Sequence, residues 1–217
     1  METLNLKRLK IQLKKCYPFI ENWGRKQNNS WDKQTNFIYK VRHFQTLENE
    51  IKDRFKKESN FEELRIYALN RWYNFWSAQG IEYIFCSYPN VKPHVEPFHQ
   101  FIDFWIDEIP FDHKTSVFPK KYNQNIEFAK ENPTDLLKWL YKNQSNQKRF
   151  HLQNRLFLIL CEKEGKHQKL KSEIDFIQPI IENYLKHFSF EKLKKIEFDT
   201  DKGIKTAYSD CIFIEMN

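Results

Sequence analysis

Along much of the chain, apolar residues recur every three or four positions, the spacing of one helix face. Leu6, Leu9 and Leu13 share such a face, which predicts a short basic helix over 4–15 that Tyr17-Pro18 ends. After the polar stretch 26–33, the spacing of Phe37, Val41, Phe44, Leu47, Ile51 and Phe55 predicts one long helix over 35–57. Ser59 with Glu62 forms a capping box for a second helix striped by Phe61, Leu64, Ala68, Trp72, Phe75 and Trp76, and Gly80 is its expected stop. The period then changes. Residues 81–87 read as a strand, and Pro89, Pro93 and Pro97 predict a loop. Two apolar runs, 101–106 and 109–117, flank Asp107-Glu108 and predict a β-hairpin, which Pro119 closes. Asn132-Pro133 opens a helix through Leu136, Leu137 and Leu140 to Asn143. The unbroken apolar run 156–161 has the character of a strand buried on both faces. A helix from Ser172 carries Phe176, Ile177, Ile180, Ile181, Tyr184 and Leu185 with Pro179 inside it, and 195–214 predicts a terminal hairpin around 199–203.

From 59 to 161 the elements run helix, strand, strand, strand, helix, strand. This αβββαβ order predicts an α/β (α+β) fold with a central mixed sheet flanked by helices. The expected organisation is one domain over 1–217: an N-terminal helical region 1–58, a core 59–161, and a C-terminal helix and hairpin 162–217. Composition changes this picture little. Apolar residues at 40% and charged ones at 30%, with 20 Phe, 10 Tyr and 6 Trp, exclude a disordered chain. Lys and Arg outnumber Asp and Glu by 36 to 29, and the +7 balance suits a polyanionic partner. Cys16, Cys86, Cys161 and Cys211 lack C-x-x-C spacing and read as reduced thiols, not a zinc site or disulfide frame. His94-x-Glu96 has no P-C-x-x-C partner, which removes a zinc-deaminase reading. With no N-terminal apolar segment and no run long enough for a bilayer, the expectation is a cytoplasmic protein with no membrane partner.

The hairpin carries the candidate chemistry. A two-residue loop at Asp107-Glu108 makes Ile106 face Ile109, Asp103 face Asp112 and Phe101 face Lys114, so Asp103, Asp112 and Lys114 cluster on one side. Glu108 is an unusual choice where a positive φ is required. Carboxylates directly across a ladder repel, and a hard divalent cation removes the repulsion. A lysine beside such a cation stabilises developing negative charge or helps activate water, an arrangement suited to cleaving phosphodiesters. The plain alternative is a solvated hairpin face on which Lys114 pairs with one aspartate.

Asp103 and the tripeptide Asp112-His113-Lys114 resemble the signature of the PD-(D/E)xK nuclease superfamily, with Ile102 where many members carry proline. The resemblance covers about half of the chain. It implies a restriction-endonuclease-like αβββαβ core and a Mg2+-dependent endonuclease of restriction or repair type, acting on nucleic acid with duplex DNA as the first expectation, and it leaves room for a homodimer. It implies that Asp103, Asp112 and the backbone carbonyl of His113 bind one or two Mg2+ ions while Lys114 serves the attacking water. Glu63 is the candidate for an additional helix-borne carboxylate, with Glu82 behind it. Lys120, Lys121, Arg149 and Arg155 are candidate phosphate contacts, Arg155 equally a structural partner for a carboxylate. The alternative function is a catalytically inactive nucleic-acid-binding or protein-interaction domain on the same fold.

Overall fold

The computed structural model describes residues 3–20, 29–95, 101–143 and 152–216. The chain divides into a helical unit, 2–81 with 171–174, and a sheet unit, 82–170 with 175–217. No helix among the described residues is long and apolar enough to cross a membrane.

In the helical unit, α1 (Leu6–Cys16) starts where Asn5 Oδ1 accepts the Arg8 N–H, and it buries Leu9, Leu13 and Cys16. Short α2 (Asn29–Gln34) follows, then a 3-10 turn at Asn36–Lys40 and α3 (Phe44–Phe55). The single helix expected over 35–57 is therefore broken at 41–43. Two indoles explain the break: Trp76 donates Nε1–H to the Ile38 carbonyl at 3.1 Å and Trp72 to the Val41 carbonyl at 2.6 Å. Carbonyls captured from the side have no need of helical donors, and Gln12 Oε1 accepts the Phe44 N–H where α3 begins.

Helix α4 (Phe61–Cys86) opens at Asn60, whose carbonyl accepts the Leu64 N–H, one residue after the expected Ser59 cap. It runs straight through Gly80, so of residues 81–87, expected to be a strand, 81–86 form its last turns and Ser87 the turn that follows. Ile81, Ile84 and Phe85 are buried, at steps that suit a helix as well as a short strand. Gly80 is present for close approach rather than for termination: a Cβ there would lie 2.7 Å from Leu9 Cδ2.

The sheet unit contains β1 (Val91–Pro93), β2 (Phe104–Ile106), β3 (Ile109–Val117), α5 (Ile126–Glu131), α6 (Pro133–Asn143), β4 (Arg155–Glu162), α7 (from Ile174 to Lys186, of which 175–186 belong here), β5 (Lys194–Thr200) and β6 (Gly203–Met216). The first strand thus falls in the proline-rich stretch expected to be a loop. Pro93 is tolerated because β1 is an edge strand, where a missing N–H breaks no ladder. The sheet is mixed, in the order β1-β2-β3-β4-β6-β5. Pairing is antiparallel for β1/β2, β2/β3 and β5/β6, and parallel for β3/β4 and β4/β6.

Strand β4 pairs on both edges, and residues 155–160 are all buried, as its apolar run requires. Leu136, Leu137, Leu140 and Tyr141 of α6 pack over Phe157 and Ile159 of β4, Ile196 of β5 and Ala207 of β6. Across the sheet, Phe85 of α4 stacks on Phe104 at 4.8 Å and tilts against His113 at 5.9 Å. The face of β1, β2 and β3 opposite Phe85 carries the candidate site.

Candidate functional site

Construction of the site begins at the turn. Asp107 and Glu108 have φ of 45° and 67°, the double positive φ of a two-residue hairpin loop made without glycine. Neighbouring bonds hold it: Asp107 N–H donates to the Asn90 carbonyl, Asn90 Nδ2 donates to Asp107 Oδ2, and Lys92 pairs with Glu108. The resulting register, Ile106 with Ile109 and Phe104 with Phe111, is the expected one; its paired ladder ends at Phe104, one residue short of Asp103, which stands beside Phe111 and Asp112 of β3. Asp103 N–H reaches the Phe111 carbonyl at 2.9 Å, and Asp103 Oδ2 then accepts the His113 N–H at 2.6 Å, a side chain standing in for the next strand bond. Phe101 and Lys114 are not a ladder pair; from Asp112 onward β3 pairs with β4.

Asp112 is nearly buried, and both its oxygens are engaged: Oδ1 with Lys114 Nζ at 2.6 Å, Oδ2 with Arg155 Nε at 2.9 Å. Burial pushes the Asp103 carboxyl above its ordinary pKa; the His113 N–H and the Lys114 charge pull it back in part, and Asp112, felt at the same carboxyl, helps to lower it. His113 points to the opposite, packed face, where burial first and the Lys114 charge second lower its pKa to about 4, so at neutral pH the ring is uncharged. Its Nδ1, 3.9 Å from Asp103 Oδ2, therefore forms no ion pair at that pH. In extended backbone a residue's N–H and C=O project from the same edge, so the His113 carbonyl leaves β3 on the edge where Asp103 takes its N–H.

Behind Asp112 stands a row across three strands, Asp112, Arg155 and Ser209. Arg155 lies over the Tyr141 ring at 5.3 Å. The Tyr141 O–H donates to the Gln153 carbonyl, which leaves Ser209 Oγ–H to donate to the Tyr141 oxygen while Ser209 Oγ accepts the Arg155 N–H. Asn154 ties the neighbouring strands: its Nδ2 donates to the Pro110 carbonyl, and its Oδ1 accepts the Tyr208 N–H. The Asp112 carboxylate thus sits in a prearranged frame, while Lys114 remains exposed.

Asp103, Asp112, His113 and Lys114 are brought together as expected. Arg155 joins them from within: of its two expected roles, it occupies that of a carboxylate partner. Lys120 and Lys121 are exposed in the turn after β3, and Arg149 lies outside the described residues. Glu63 belongs to the helical unit, exposed in the first turn of α4. Glu82 lies in the sheet unit on α4, whose Phe85 packs on the face opposite Asp112; burial, then the charges of Glu82 and Asp103, push the Cys86 thiol up to about 12. Among the described residues, no three His, Cys, Asp or Glu side chains form a ready metal cluster.

Sequence reasoning passed over Tyr141, Ser209, Asn154 and the stacked pair His94–Trp105, whose rings lie 5.0 Å apart at 17°. A signal for the Arg155 role existed. A cation opening a strand buried on both faces needs a buried carboxylate, and Asp112 was the candidate already in view. No protein-family model, curated protein or solved structure matches this chain.

Proposed function

We propose that this chain is a Mg2+-dependent nuclease of the PD-(D/E)xK kind, a DNA endonuclease of restriction or repair type. The observation that carries the reading is the placing of Asp103 and Asp112 side by side at the end of the hairpin, Asp103 bonded to the His113 N–H next to Asp112, with an exposed lysine 2.6 Å from Asp112. Element order supports it: α4, β1, β2, β3, α5, α6, β4 is, apart from the additional short α5, the αβββαβ order that the restriction-endonuclease-like resemblance implies.

The donor set fits a hard divalent cation. Asp103 is a carboxyl whose charged form burial disfavours, which a cation reverses, and the His113 carbonyl projects from the adjoining edge. Mg2+ would be held by Asp103, Asp112 and the His113 carbonyl; when bound it would supply Lewis acidity and a more acidic water. The chain's own groups do the rest. Arg155 holds Asp112 in one orientation, and the His113 N–H holds Asp103. Lys114, exposed, orients water and stabilises charge developing on the phosphoryl oxygens, and Lys120 and Lys121 meet neighbouring phosphates.

One observation favours a second reading, a nucleic-acid-binding module without hydrolysis. Both Asp112 oxygens already face cations, so two carboxylates and two cations balance without a metal. Plasmid nicking by the purified chain separates the two: Mg2+-dependent conversion of supercoiled to open-circular DNA that EDTA abolishes is expected, and binding without conversion in Mg2+ or Mn2+ overturns the nuclease reading.

A further inference from the structure

Strand alternation puts more than acids on the candidate face. Lys92 pairs with Trp105, and Trp105 with Pro110, so Lys92, His94, Asp103, Trp105, Pro110, Asp112 and Lys114 project to one side of β1, β2 and β3. His94 adjoins Asp103 directly, its N–H bonded to the Asp103 carbonyl at 3.0 Å, and its charge is felt at the Asp103 carboxyl. Its ring stacks nearly parallel on Trp105. Both residues are half-exposed. The indole rests on His94 by one face; among the described residues its other face has no aromatic or cationic partner. Trp105 and Asp103 are two residues apart, about 7 Å along the strand. A single nucleotide spans both.

We propose that the His94–Trp105 stack is a platform for one unpaired nucleobase, so that the preferred substrate is DNA with an unstacked nucleotide beside the scissile phosphate. This rests on the nuclease reading of Asp103 and Asp112. The chemistry that selects the ligand is direct: inside continuous duplex both faces of a base are occupied by its neighbours, whereas a flap, gap or overhang offers a free π-face. Tryptophan stacks on any base, so the platform reads unpairedness rather than sequence. Lys114 lies on the same face, where it neutralises the phosphate attached to that nucleotide.

The test measures cleavage and metal-free binding of three DNAs: a continuous duplex, the same duplex with a short single-stranded flap, and the flap with an abasic site at the junction. Wild type, Trp105→Ala and Trp105→Phe are compared, each with its melting curve. The expected result is that wild type prefers the flap at least tenfold over both other DNAs in kcat/KM and affinity. Trp105→Ala should lose on the order of ten- to a hundredfold on the flap alone, and Trp105→Phe should keep most of the preference. Equal handling of flap and abasic flap by wild type overturns the platform whether or not the alanine variant folds. Cleavage with no flap preference would leave the nuclease reading standing without the platform. Trp105-dependent flap binding with no cleavage would leave the platform standing and sink the nuclease.

Discussion

Asp103 is costly to keep charged. Its folded pKa lies above its ordinary value because burial removes water from the carboxylate, so the folded state holds the proton more tightly than the unfolded one. Stability is therefore lost as pH rises from the unfolded carboxylate range, near 3.9, through the folded value. Asp103→Asn keeps an acceptor for the His113 N–H and removes the charge; it should stabilise the protein at pH 7 by on the order of 1 kcal/mol, with the gain shrinking as pH falls through the folded value toward 4 and absent below that. Urea melts of both proteins across that range check it, and a destabilised variant at pH 7 would mean that the carboxylate is structural. His113 acts with the opposite sign. Its folded pKa is depressed to about 4, so its contribution is present above its unfolded pKa near 6.5 and is lost as pH falls toward 4. His113→Asn should flatten the pH dependence of stability between 6.5 and 4; an unchanged slope would place the acid sensitivity elsewhere.

At the scale of elements, the hairpin is the part whose geometry the function needs, and its turn is poorly chosen for stability. Glu108 sits at φ 67°, where glycine carries no side-chain penalty, and the Lys92 pair that it makes is on the exposed rim. Glu108→Gly should therefore raise stability by up to about 1 kcal/mol and leave the register unchanged, as thermal melts and amide exchange across β2 and β3 would show. Loss of stability would mean that the ion pair outweighs the strain. The sequence displayed this hairpin because pairing, turn length and side-chain alternation are local; Asp103 beside Asp112 followed from the position of two turn residues. It displayed β4 and α6 for similar reasons, a continuous apolar run and an Asn-Pro start. Residues 81–87 were misread because so short and mostly apolar a stretch fits either period, and the deciding fact, Leu9 lying against Gly80, joins positions far apart in the chain. The break before α3 was equally invisible, since Trp72 and Trp76 cap its carbonyls from another helix.

For the whole molecule, the site draws on three strands and a helix: Asp103 beside β2, Asp112 and Lys114 on β3, Arg155 on β4, and Tyr141 of α6 beneath the guanidinium. Alternation along single strands identifies the first three; the last two become part of the site only when β3 and β4 pair in parallel, which no local pattern announces. A net charge of +7 adds a long-range attraction for polyanions, so DNA affinity should fall linearly in log–log terms with added salt. Charge also separates binding from chemistry at the centre. The most direct measurement is cleavage rate and metal-free DNA affinity at one fixed salt concentration for wild type, Asp112→Asn and Lys114→Ala. Loss of the Asp112 charge should lower cleavage by roughly a thousandfold while affinity stays level or tightens, and loss of the Lys114 charge should lower both. Cleavage that survives Asp112→Asn undiminished would contradict the assignment of catalysis to this hairpin.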